Sequence, residues 1–301
     1  MGFLGKKAVP EGYPQGFGIE WLSKRSFRLE GHEFTTFETT NDFFSEDIEQ
    51  DDKFFMAKNS VLIHQCMSVV RECKPKSIVE LGINRGGSAA FLHLIAKPKK
   101  MLALELSSER IEKLDRFIQA EKLQGSMRAE YGVDQSDTKR VRELTAEHIG
   151  PGRCVDVVFD DASHILAPTR SSFETLFPYI RQGGSYIVED YSAAQTAAAK
   201  LIPEAVAGSE PAARMFKSIM STTLLDDHQP CHLLAVEAIL ASMVDQGIIQ
   251  RVIANKQWLR IVRGPKEIEN PGEFDLRALA SDHWGILGSA PDDDTLRVLS
   301  S

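Results

Sequence analysis

The chain has 301 residues, of which 43% are hydrophobic and 26% charged, with a net charge of −8. That is length for one large domain with appendages or two small ones, and composition for a proper core. The acidic balance leaves no basic excess to neutralise phosphates, which argues against a nucleic-acid partner. No apolar run approaches the roughly 20 residues of a membrane span. The start, MGFLGKKAVPEGYPQG, lacks the apolar core and cleavage pattern of a signal peptide. It opens Met-Gly, but Lys6 stands where a myristoylation site prefers Ser or Thr. Cys66, Cys73, Cys154 and Cys231 form no CxxC pair, which reads as reduced thiols in a cytoplasmic protein.

Residues 1–52 read as an N-terminal extension, a candidate substrate lid or oligomer contact, with Phe37, Phe43 and Phe44 available to pack. From Phe54 to Cys73 apolar residues recur at helical spacing, with His64 on the helix surface. An alternation follows. Strands are expected at Ser77–Leu81, Met101–Leu106, Met127–Gly132, Val155–Phe159 and Ser185–Val188. Helices are expected at Gly87–Ala96, Ser108–Glu121, about Thr138–His148, and Pro168–Ile180. Repeated β-α units with both faces covered give a doubly wound, mostly parallel α/β sheet of Rossmann-like form. Two helical stretches come next, and GIIQRVIANKQWLRIVRG then reads as an antiparallel hairpin turning at Asn255-Lys256. The expected organisation is therefore an extension at 1–52, a main domain at 53–264 and a tail at 265–301.

Two stretches carry chemistry. In SIVELGINRGGSAAFL, Gly82, Gly86 and Gly87 follow a strand and open a helix, where backbone N–H groups approach a ligand closely. Glu80 precedes the loop, and Glu105 ends the next strand, where a carboxylate accepts both hydroxyls of a ribose. The spacing misses the G-x-G-x-x-G phosphate fingerprint, which favours a nucleoside cofactor without a diphosphate over NAD. In VDVVFDDASHILAPTRSSFETLFPYIRQGGSYIVEDY, two buried-looking strands end in acid pairs, Asp160-Asp161 and Glu189-Asp190, with His164 after the first. Crowded carboxylates repel and take up protons unless a cation relieves them, and hard oxygens suit Mg²⁺, Mn²⁺ or Ca²⁺. The alternative for these acids is helix capping. His164, beside such a site, reads as the general base that takes a hydroxyl proton.

In order along the chain, VELGINRGGSA, LALELS, YGVDQSD, FDDASH, YIVEDY and the closing hairpin resemble the class I methyltransferases that use S-adenosylmethionine. They are most similar to the family of macrolide-sugar and rhamnosyl O-methyltransferases and the so-called cephalosporin hydroxylases, over about residues 60–264. The resemblance implies a Mg²⁺-dependent O-methyltransferase acting on a hydroxyl of a small secondary metabolite or its sugar. It implies that Glu80, Gly82, Asn84, Gly86, Gly87 and Ser88 hold the amino-acid end of S-adenosyl-L-methionine. It places Glu105 on the ribose and Asp134, Gln135 and Ser136 at the adenine. The metal falls to Asp161, Glu189 and Asp190, with Asp161 and His164 catalytic. Asp160 then sits near the cofactor or braces the loop. Asn84 departs from the family pattern, standing where many relatives have a second glycine. By analogy a homo-oligomer is expected. Two competitors stay open at this point: an S-adenosylmethionine-binding protein of another reaction class, and an NAD-dependent oxidoreductase.

Weaker candidates are Tyr191 as a substrate contact and Asp226, Asp227, His228 and His232, which read as turn and capping residues. Trp21 and Trp284 read as packing.

Overall fold

In the computed structural model the described residues are 12–38, 52–152, 154–210, 212–214, 217 and 229–281. The chain divides into two units, Met1–Gly132 and Val133–Ser301.

The first unit opens with an antiparallel meander of β1 (Glu20–Ser23), β2 (Ser26–Leu29) and β3 (His32–Thr35). β3 pairs in parallel with β4 (Phe54–Phe55), which sets Phe34 opposite Phe54. Phe27 and Phe34 are fully buried and stack with ring centres 4.9 Å apart, while Phe91 meets both edge-on. Large aromatic areas removed from water hold this small sheet in place. The stretch expected to be an extension therefore contributes three strands to the unit, although Phe43 and Phe44 lie outside the described residues.

The helix expected from Phe54 begins only at Ser60. There Asn59 Oδ1 accepts the N–H of Leu62 and caps α1 (Ser60–Cys73). The two phenylalanines before it pair as strand instead, as aromatic residues on a half-buried pleat tend to do. Then come β5 (Ser77–Leu81), α2 (Gly87–Ala96), β6 (Lys100–Glu105), α3 (Glu112–Ala120) and β7 (Met127–Tyr131). β6 runs parallel to β5 on one side and to β7 on the other. Every residue of β5 is buried, as a strand covered on both faces requires. α3 starts later than expected because Ser107 turns the chain, its Oγ accepting from Glu109 N.

The second unit contains α4 (Thr138–His148), β8 (Val155–Asp160), α5 (Leu166–Leu176), a 3₁₀ turn at Phe177–Tyr179 and β9 (Ile180–Glu189). After these come α6 (Ala193–Val206), α7 (Leu233–Val244), β10 (Ile249–Ala254), β11 (Trp258–Arg263) and α8 (Leu276–Ala280). β8 and β9 are parallel, and β11 adds to β9 antiparallel with β10 outside it. The expected hairpin is present. Phe159, Tyr186, Phe173 and Phe177 form the core, and Glu237, fully buried, accepts Arg170 and Arg277 to tie α5, α7 and α8. The chain is a mixed α/β protein with a mostly parallel sheet. Among the described residues no helix is long and apolar enough to cross a membrane.

Candidate active site

In the first unit the loop after β5 is built by backbone. Gly82 N donates to Leu104 O at 2.9 Å and Gly86 N to Ile83 O at 2.8 Å. Gly86 has φ of 80°, and a side chain there would meet Leu114 Cβ at 2.9 Å. A Cβ on Gly87 would stand 2.0 Å from the Phe55 carbonyl oxygen, so this glycine is required by the approach of β4. Asn84 lies at φ of 50°, a left-handed conformation in which Asn is among the few tolerated side chains.

Glu105 is engaged differently from the expectation. Its Oε2 accepts the N–H groups of Ile83 and Asn84, both at 2.9 Å, and its Oε1 accepts Ser107 N at 3.0 Å. The carboxylate therefore shapes the glycine loop. Glu80 is buried on β5, and Ser88 is half-buried in the first turn of α2.

In the second unit the tips of β8 and β9 bring three ligand-bearing residues together. One ligand atom from each of Asp161, His164 and Asp190 lies within 4.8 Å of the other two. His164 Nε2 is 3.8 Å from Asp161 Oδ1, and His164 Nδ1 is buried with no hydrogen-bond partner among the described residues. His164 and Asp190 both have left-handed backbones, with φ of 56° and 50°. Such conformations cost energy and persist where the surroundings over-determine them. Asp190 N donates to Gln257 O at 2.8 Å, and Asp190 O accepts from Ala193 N, which fixes the turn out of β9.

Glu189 does not join this group. It is the last residue of β9, 1% exposed, and neighbouring residues on a strand face opposite ways. The left-handed turn at Asp190 releases only the second acid of the pair. Of the expected metal set of Asp161, Glu189 and Asp190, the structure brings Asp161 and Asp190 together with His164, and Glu189 stands outside that cluster.

Asp160 takes the bracing position. It is 2% exposed, and its Oδ2 accepts from Tyr186 Oη at 2.5 Å and Ser172 Oγ at 3.0 Å. Burial pushes its carboxyl up to about 6, while those two hydroxyls and His164 pull the other way. Gln135 also turns inward: it is 7% exposed between exposed Asp134 and Ser136, with its amide in the same buried network. Its side chain is committed to protein partners, unlike the adenine contact expected of it. Asp134 Oδ1 instead accepts both Ser136 N and Ser136 Oγ, which tightens the turn before α4.

Tyr191 donates its hydroxyl to Asn255 O at 2.7 Å and serves the hairpin turn. Trp21 is buried with Nε1 on Pro14 O, a packing role. His232 begins α7, and burial lowers its pKa. Asp226, Asp227, His228 and Trp284 lie outside the described residues. Sequence reasoning missed Ser172 and Tyr186. The available signal was chemical: a carboxylate at the end of a wholly buried strand needs hydroxyl donors nearby.

No protein-family model matches the chain. Local similarity is pronounced, and it is to sugar O-methyltransferases. Over 58 residues the chain is 51% identical to the 8-demethyl-8-alpha-L-rhamnosyl tetracenomycin-C 2'-O-methyltransferase of Streptomyces olivaceus. Over 56 residues it is 46% identical to the L-olivosyl-oleandolide 3-O-methyltransferase of Streptomyces antibioticus. Each match covers 19% of this chain and 14% of the relative. Among solved structures, MycE methyltransferase from the mycinamycin biosynthetic pathway, in complex with Mg and SAH, is 20% identical with a TM-score of 0.44. That likeness covers 68% of this chain and 49% of MycE. The local matches agree with the resemblance drawn from the motifs.

Proposed function

We propose that this protein transfers a methyl group from S-adenosylmethionine to a hydroxyl of a sugar on a small natural product, assisted by a divalent cation. The observation that carries the reading is the local identity to O-methyltransferases of rhamnosyl and olivosyl substrates. The acid and imidazole cluster at the strand tips supports the cation, since its donors suit Mg²⁺ or Mn²⁺.

When bound, the cation supplies positive charge that lowers the pKa of an alcohol, and the sulfonium supplies an electrophilic methyl. In this reading Asp161 and Asp190 hold the cation. His164, whose Nδ1 has no hydrogen-bond partner among the described residues, takes the hydroxyl proton. Gly82, Asn84, Gly86, Gly87 and Ser88 bind the donor's amino-acid end, and Asp134 and Ser136 border its adenine. Glu105 holds the loop closed through Ile83 and Asn84, with the ribose as its further partner. A homo-oligomer working in the cytoplasm completes the reading.

The test is incubation of rhamnosylated and olivosylated aglycones with Mg²⁺ and methyl-labelled S-adenosylmethionine, followed by mass analysis of the product. A gain of one labelled methyl on the sugar is expected. Asp161→Asn should abolish it, and His164→Ala should slow it by about 100-fold or more. Full activity of the wild type in excess EDTA would remove the cation from the mechanism, and an unmodified sugar would remove the reading itself.

A further inference from the structure

Gln135 has no part in the chemistry just described, yet its side chain is among the most constrained in the second unit. It is 7% exposed, and both ends of its amide are used. Oε1 accepts the backbone N–H of Ser163 at 3.0 Å. Nε2 donates to Ser172 Oγ at 3.0 Å and lies 3.5 Å from Asp160 Oδ2. Ser163 stands between Asp161 and His164 in sequence, and its Oγ accepts Ile165 N at 3.3 Å. The loop is thus held at its start by Asp160, which Tyr186 and Ser172 secure, and at its middle by an amide from another element. Such fixing is needed because His164 sits in a left-handed conformation that an untethered loop would leave.

We infer that Gln135 is a positioning residue: by holding Ser163 it sets the placement of Asp161 relative to His164, and so the affinity of the cluster for its cation. The inference rests on the cation reading above. Partners that orient metal-binding side chains alter affinity by about 10-fold to 100-fold when removed. Gln135→Met keeps the size of the side chain and removes both hydrogen bonds. Gln135→Glu keeps the acceptor for Ser163 N.

The probe is Mn²⁺ alone, titrated into the full chain and followed by the electron paramagnetic resonance signal of the free ion. Far-UV circular dichroism identifies which variants are folded. About 10-fold weaker Mn²⁺ binding is expected for Gln135→Met, and a loss of more than twofold but less than 10-fold for Gln135→Glu. If only Gln135→Glu folds, the same loss is expected of it. Wild-type affinity in the folded variants would overturn the inference, and so would equal loss in both, because the amide would then act only as filling. Wild-type protein that takes up no Mn²⁺ would overturn the cation reading and this inference with it. Binding that the substitutions leave unmoved would overturn this inference alone.

Discussion

Cys231 shows how strongly a single side chain is governed by its surroundings in this protein. It is 2% exposed, and burial pushes its thiol up to about 12. Because the thiolate is the reactive form, the native protein should leave Cys231 unmodified by iodoacetamide at neutral pH. Cys154, which is only half-buried, should be labelled first. Peptide mass spectrometry after timed quenching checks this, and labelling of both at one rate would contradict it. The same dependence on surroundings limited what could be read at the strand tips. That acids end β8 and β9 was legible, because apolar runs stop there abruptly. The motif resemblance separated Asp160 from Asp161, but which acid of the second pair turns outward was not legible, since a one-residue difference decides it and the left-handed turn at Asp190 has no marker in the sequence. The inward turn of Gln135 was hidden for a related reason: periodicity does not disclose that the middle residue of an exposed turn folds inward.

Among the elements, α2 depends on a contact that no helix propensity describes. Gly87, its first residue, lies under the carbonyl of Phe55 in β4. Gly87→Ala would force the Cβ into backbone that has little room to yield, and overpacking of this kind costs about 1–3 kcal/mol. Urea unfolding should show a lowered midpoint, and an unchanged midpoint would mean that β4 moves freely. The strands β5 and β8 and the closing hairpin were legible because continuous apolar runs and a turn signal mark them. The meander β1–β3 was not. Its strands have four residues each, too short for alternation to stand out, and their partner β4 reads as the beginning of a helix. With β4 hidden, the packing reason for Gly87 was hidden as well.

Over the whole molecule, acid should act through buried imidazole as well as through carboxylates. His93 is 8% exposed, and burial lowers its pKa below the ordinary value of about 6.5, against the pull of Glu121 and Glu30. The unfolded chain therefore binds the proton more readily than the folded one. The stability from keeping His93 neutral is complete above about pH 6.5 and is lost as pH falls through the lowered folded value. Thermal midpoints measured from pH 8 down to pH 5 should fall more steeply for wild type than for His93→Gln. Parallel curves would remove His93 as a source of acid sensitivity.

Among the left-handed residues other than glycine, two kinds have opposite prospects for anyone engineering this chain. Lys74, Lys97 and Ser281 close helices, and glycine suits those positions better. Heat resistance is available there at no expense to turnover. Asn84, His164 and Asp190 offer the same conformational relief, but glycine would delete the groups assigned to donor, proton and cation. Selection for ruggedness alone would drift toward a sturdier, inert protein, and retained catalysis would have to be demanded alongside it.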